Sequence, residues 1–139
     1  MLPDKHFLIA GLVIAPVAVV LPEQRSVLGV TQWVLAGGLA SVAVDLDVIA
    51  LVLARSGKEE RLKQFRNPVQ IQRKFNLFMD TIAETGILKT AMKTHFIISA
   101  VLILLSYCFL RPYFLPVTLG VVSHLLSDAP HLRKLNTPR

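Results

Sequence analysis

The stretch from Phe114 to Asp128 reads FLPVTLGVVSHLLSD, an apolar run that ends in a histidine and an aspartate four residues apart. Positions i and i+4 share one face of a helix, so His124 and Asp128 would present a nitrogen and a carboxylate oxygen about one turn apart. A helix that binds a metal ion uses this spacing. Taken alone, the pair favours a simpler interpretation, a polar helix end with His124 bonded to backbone and Asp128 in water.

Long apolar runs, rather than alternating faces, dominate the chain. Of its 139 residues 53% are hydrophobic and 17% are charged, and the mean hydropathy is +0.57. A soluble domain of this size rarely carries so little charge in such uneven blocks, so the pattern argues for membrane insertion. The single cysteine, Cys108, lies inside an apolar run and has no partner for an internal disulfide.

Four apolar runs predict an all-α fold, an integral membrane four-helix bundle formed as a single domain by residues 1–139. The expected spans are residues 6–21, 27–47, 95–110 and 114–128. The first run can also be interpreted as a signal peptide, but the basic region before it is thin and a clean cleavage site is missing. A retained span, kinked at Pro16, is therefore the preferred interpretation.

The second run is interrupted by Asp45 and Asp47. A straight helix would place Asp45 about 15 Å from the polar end of the span, too deep to meet His124 and Asp128. A break near Asp47 resolves this difference in depth, with residues 48–54 turning aside as an interfacial segment. It would also let both acids contribute, because i and i+2 point to roughly opposite sides of a regular helix.

Residues 55–94 form a polar segment that carries nine of the 15 basic residues, with apolar residues scattered through it. We expect one or two amphipathic helices there, beginning near Pro68 and broken at Gly86, on the membrane surface or capping the bundle. Basic residues clustered between apolar runs fit anionic membrane lipids as partners better than a nucleic-acid groove.

Charge also predicts the orientation of the spans. With four spans, the N-terminus, the polar segment and the C-terminal tail share one side, which holds every basic residue except Arg25 and Arg111. The positive-inside rule then places both termini in the cytoplasm. In this arrangement the ligand-type residues collect at the cytoplasmic ends of the spans; they are His6, Asp45, Asp47, His95, His124 and Asp128.

Ionisable residues at membrane depth usually face a partner or a cavity, and a divalent metal satisfies both imidazoles and carboxylates. Each residue also has a simpler interpretation. His6 can be an interfacial histidine without a ligand, and His95 can sit at a helix start capped by Thr94. Asp45 and Asp47 can pair with a basic residue or line a water-filled pathway.

The order of these motifs resembles the inner-membrane metal-dependent hydrolase family. The matching elements are an N-terminal histidine, Asp45-x-Asp47, Thr94-His95 and Ser123-His124-x-x-x-Asp128. The last element is also similar to the His-x-x-x-Asp of zinc-dependent phospholipases C. The resemblance covers nearly the whole chain, through short motifs, and implies a multi-pass protein of the cell inner membrane that hydrolyses phospholipid or another membrane-embedded ester.

Two of the family's motifs are incomplete here. The family has Pro-Asp-x-Asp, where this chain has Val44 before the first aspartate, and a histidine that can follow is replaced by Val48. The family's His-Arg-Gly-x-Thr-His-Ser element retains only Thr94 and His95, because Thr90, Ala91 and Met92 replace its first three residues. These departures are compatible with one metal instead of two, or with a site that binds without turnover.

The leading functional prediction is therefore a metal-dependent hydrolase with a zinc or manganese site. The metal ligands would come from His6, Asp45, Asp47, His95, His124 and Asp128, with Asp45 or Asp47 as a further ligand or the general base. The alternatives are a small ion or proton transporter, an assembly partner, and a degenerate family member with an incomplete site. No Ser-His-Asp order and no Gly-rich phosphate loop is present in the sequence.

Overall fold

The computed structural model describes residues 3–22 and 26–135, with only the backbone described for residues 130–135, and every regular element in these ranges is a helix. The α-helices are α1 (Pro3–Val20), α2 (Val27–Val44), α3 (Leu46–Arg55), α4 (Pro68–Arg73), α5 (Phe75–Glu84), α6 (Ile87–Phe109) and α7 (Phe114–Leu135). Two 3₁₀ helices span Glu60–Arg66 and Arg111–Tyr113. The all-α prediction is confirmed. The predicted positions of Arg25 and of the end of the tail lie outside the described ranges.

Three stretches in the described part of the chain are long and apolar enough to cross a membrane: Pro3–Val20, Val27–Arg55 and Ile87–Phe109. Their outer faces carry leucines such as Leu8 and Leu12, which are 63% and 68% exposed. An apolar surface of this kind suits lipid rather than water. Within the described residues, α7 is not among the three.

The chain forms two compact units, and the first comprises residues 1–44 and 98–139. Within it, α1, α2 and α7 pack against one another. The buried residues of α1 recur every four positions and form one stripe: His6, Ala10, Ile14 and Ala18. This spacing directs His6 to the same side as the apolar core, so a histidine occupies a position that would otherwise hold an aliphatic side chain.

A close backbone approach joins α2 to α7. A Cβ atom at Gly120 would meet the backbone of Gly37, and a Cβ atom at Gly37 would meet the carbonyl of Pro116. Only glycine at these two positions permits this separation, as at small-residue contacts between membrane helices. The contact fixes the register of α7, the helix that carries His124 and Asp128.

The second unit comprises residues 45–97 and has its own apolar core. The buried members of this core are Val52, Leu62, Phe65, Phe78, Ile82, Ile87 and Leu88. Asn67 caps α4 by accepting a hydrogen bond from the Val69 N–H at 2.9 Å, and Pro68 occupies the first turn. At the surface of this unit, Arg61 forms ion pairs with Glu59 and Glu84.

Two boundaries differ from the expected ones. The helix that begins at Val27 is interrupted at Asp45, two residues before the expected position, and α3 begins at Leu46. The third long helix begins at Ile87 rather than at residue 95, directly after Gly86, whose φ of 72° ends α5. Because a left-handed residue terminates a helix, the new helix starts there and Thr94 lies in its interior. The interpretation of Thr94 as an N-cap is therefore wrong.

Candidate metal centre

The first unit brings three of the predicted ligands together. His6 projects from the first turns of α1, and α7 contributes His124 and Asp128 from successive turns of one face. His6 Nε2 lies 3.3 Å from Asp128 Oδ1, and His124 Nε2 lies 3.5 Å from Asp128 Oδ2. One nitrogen of each imidazole and one carboxylate oxygen fall within 4.8 Å of one another. This group can hold a metal ion.

All three side chains are buried. His6 and His124 are 0% exposed and Asp128 is 7% exposed. The two imidazole rings also face each other, with centroids 4.1 Å apart and planes inclined by 38°. A carboxylate removed from water needs a compensating charge or several hydrogen bonds. A cation between these groups would supply that compensation.

The measured spacings fit a shared cation better than a direct hydrogen bond. Hydrogen bonds between nitrogen and a carboxylate oxygen are usually 2.7–2.9 Å long. Two ligand atoms that are each about 2.0–2.1 Å from a tetrahedral zinc ion lie about 3.4 Å apart. The 3.3 Å between His6 Nε2 and Asp128 Oδ1 is close to this ligand-to-ligand edge, and His124 Nε2 lies 3.5 Å from the other carboxylate oxygen, Asp128 Oδ2.

The donor set defines the kind of site. Two imidazoles and one carboxylate are borderline-hard ligands that suit zinc, and the carboxylate also suits manganese. The one cysteine, Cys108, is exposed on α6 and does not belong to the group.

Hydrogen bonds hold the ligands in place. Ser127 Oγ lies 2.9 Å from His6 Nδ1 and also donates to the carbonyl of His124 at 2.8 Å. Ser41 on α2 donates to the carbonyl of His6 at 3.4 Å. Each helix of the packed trio α1, α2 and α7 therefore contributes to fixing His6, the ligand that is most distant in sequence from the other two.

The remaining three predicted ligands, Asp45, Asp47 and His95, belong to the second unit, where His95 contacts both aspartates. His95 on α6 lies with Nδ1 2.8 Å from Asp47 Oδ2 and with Nε2 3.7 Å from Asp45 Oδ1. Thr94 donates its hydroxyl to Asp47 Oδ2 as well. Asp47 and His95 are buried, at 8% and 2% exposed. A histidine held between two carboxylates can carry a proton or orient a second ligand nitrogen.

Each unit thus gathers three of the six predicted site residues, and the single six-residue site stays a prediction. Three contributors were not predicted as site residues: Ser41, Ser127 and Thr94. Thr94 belongs to the Thr-His element, so a signal for it was present. The sequence contains no signal for Ser127, because its contact with the site is with His6 at the other end of the chain.

No protein-family profile, curated protein or solved structure matches this chain. The resemblance to inner-membrane metal-dependent hydrolases therefore stays a prediction that depends on the motifs alone.

Proposed function

We propose that this protein is an integral membrane metal-dependent hydrolase whose metal is held by His6, His124 and Asp128. One observation carries the proposal: two imidazoles and a carboxylate, all buried, meet in a unit built from membrane-length helices. Such residues are costly at membrane depth and persist where they bind a partner. A divalent cation is the simplest partner for two nitrogens and an oxygen at these spacings.

A cation bound there would supply Lewis-acid chemistry, activating water near neutral pH and polarising a phosphoryl or acyl oxygen. The chain's own residues then have distinct tasks. The imidazoles of His6 and His124 and the carboxylate of Asp128 fix the cation. Ser41 and Ser127 fix His6. The apolar residues around them exclude bulk water, which strengthens every charge interaction at the site.

The proposed location is the cell inner membrane. The proposed topology has four spans, with α7 as the fourth span and both termini in the cytoplasm. Membrane lipids are the proposed partners and the source of the substrate. Exposed basic side chains in the second unit support this proposal, because they have no carboxylate partner among the described residues. These residues are Lys58, Arg73, Lys74, Lys89 and Lys93. Each cation near an anionic leaflet contributes about 1 kcal/mol of attraction.

The decisive experiment measures metal and turnover in the same preparation. Detergent-purified protein is expected to contain about one equivalent of zinc or manganese, because His6, His124 and Asp128 together offer ligand atoms for one ion. It is expected to hydrolyse phospholipid, anionic faster than zwitterionic, and to lose activity on chelation and regain it when metal returns. Elemental analysis and product release in mixed micelles measure both.

Membrane sidedness provides the control. A chelator that cannot cross membranes is expected to inhibit inverted vesicles, whose cytoplasmic face is outside, and to spare right-side-out vesicles. Metal-free protein that hydrolyses these lipids at an unchanged rate would refute the hydrolase proposal. Inhibition confined to right-side-out vesicles would refute the topology.

The second group provides a separate prediction. In metal sites an imidazole donates its other N–H to a carboxylate, and removal of that carboxylate lowers activity about 10–100-fold. The sequence motif predicts His95 as a further metal ligand, and on that basis Asp47→Asn should lower kcat/KM for phospholipid hydrolysis by this factor, because Asp47 holds both Thr94 and His95. Asp80→Asn, at an exposed aspartate of α5, is the matched control and should leave kcat/KM unchanged. Equal rates for both variants would refute a role of Asp47 in hydrolysis.

Proton or ion transport is a second candidate function. The arrangement of His95 between Asp45 and Asp47, on a helix long enough to cross a membrane, favours it. Intramembrane chains of histidine and carboxylates serve as proton relays. Ion flux in proteoliposomes that survives His124→Ala and fails in Asp47→Asn would support transport. Flux at the level of empty liposomes would exclude it.

A further inference from the structure

The hydroxyl of Ser127 makes two hydrogen bonds that together specify the protonation of His6. Ser127 donates its one proton to the carbonyl of His124 at 2.8 Å. A hydroxyl has a single proton, so toward His6 Nδ1, 2.9 Å away, its oxygen acts as an acceptor. The proton of that second bond therefore belongs to the imidazole, on Nδ1.

This assignment determines which nitrogen of His6 is available to a cation. A neutral imidazole with its proton on Nδ1 has its lone pair on Nε2. Nε2 is the atom that lies 3.3 Å from Asp128 Oδ1. A lone pair and a carboxylate oxygen at this distance repel each other unless a cation lies between them, so the tautomer and the metal support each other.

The hydrogen bond from Ser127 to the carbonyl of His124 is of a kind that other serines of this protein also form. Ser106 and Ser123 are buried and donate to the carbonyl three residues before them at 2.8 Å, as Ser127 does. Helical serines often form this bond to their own backbone. Ser127 differs from these two serines because its hydroxyl oxygen also lies 2.9 Å from an imidazole nitrogen, His6 Nδ1.

We propose that Ser127 is a positioning residue of the metal centre, which holds His6 in the Nδ1-protonated tautomer with Nε2 directed at the cation. The proposal rests on the proposed function, since it assigns a role within the same site. Ser127 acts through His6 and does not itself bind the metal. Its role corresponds to that of the carbonyl or carboxylate that commonly orients a metal-bound histidine.

The test is a zinc titration of the full-length protein in detergent, after removal of metal, against a chromophoric chelator. Ser127→Ala is expected to raise the Kd for Zn²⁺ about 10–100-fold, the usual effect of losing an orienting partner. Ser127→Thr keeps the hydroxyl and should restore a Kd within about threefold of the wild type. Ser106→Ala removes a buried hydroxyl with the same backbone bond from α6 and should leave the Kd unchanged.

A spectroscopic measurement separates positioning from general loss of structure. The Co²⁺-loaded Ser127→Ala protein is expected to show altered ligand-field absorption at saturation while its helical circular dichroism equals that of the wild type. Wild-type affinity in Ser127→Ala, or an equal loss in Ser106→Ala, would overturn the positioning role alone. A wild-type protein that binds neither Zn²⁺ nor Co²⁺ would refute the proposed function, and this inference with it.

Discussion

Purified His124→Ala protein is expected to contain only background levels of zinc and manganese, while the wild type carries about one equivalent. His124 provides one of three ligands, and loss of an orienting partner alone weakens metal binding about 10–100-fold. Loss of a ligand itself should therefore raise the Kd at least 100-fold, which corresponds to about 2.7 kcal/mol of binding free energy. Elemental analysis after gel filtration measures the content, and Zn²⁺ titration measures the Kd.

The neighbouring residue Leu126 provides the control for this substitution. Leu126 lies on α7 as well, but its side chain is 69% exposed and faces away from the site. Leu126→Ala should retain the full metal content and the wild-type Kd. If His124→Ala also retained stoichiometric metal, the cation would be bound elsewhere and the assignment of His6, His124 and Asp128 as its ligands would be wrong.

The pairing of His124 with Asp128 follows from sequence because it is local. Both lie on one helix, and the helical period alone puts them on one face. The stripe that directs His6 inward is not distinguishable in sequence, because the residues between Ala10, Ile14 and Ala18 are apolar as well. That this stripe faces α7 depends on tertiary packing, which has no local signal.

Helix boundaries were harder to predict than helix existence. The expected start of the third long helix at residue 95 followed the beginning of the continuous apolar run. The structure begins that helix at Ile87, because Ile87, Leu88 and Ala91 are buried in the second unit and support a helical turn among basic residues. Burial of one face stabilises a helix whose composition looks polar.

The hydrogen-bond partners of the ligands were the least predictable part. Ser127 appears in sequence as one of several serines in apolar runs, and nothing distinguishes it from Ser106 or Ser123. Its contact with His6 exists because α1 and α7 pack side by side at one register. The pattern of residues along one helix does not predict the register in which two helices pack. Small residues, which permit close contacts between helices, indicate that register only in part.

The register of α7 can be tested at Gly120, one turn before His124. A Cβ atom there would come within 3 Å of the Gly37 backbone, which has no side-chain torsion by which to move away. Gly120→Ala must therefore push α2 and α7 apart, and we expect it to destabilise the protein by about 3 kcal/mol or more, the upper range for overpacking. Thermal denaturation in detergent, followed by circular dichroism, measures the effect.

Gly38→Ala is the matched control, because it also adds one methyl group to a buried glycine of a tight contact. Its new Cβ would meet the ring of Phe7, a side chain that can rotate, so we expect a loss of only about 1 kcal/mol. Displacement of α7 should also separate Asp128 from His6, now 3.3 Å apart, and Gly120→Ala should lose metal together with stability. A variant at Gly120 that melts and binds Zn²⁺ like the wild type would show that the close approach of α2 and α7 does not position the site.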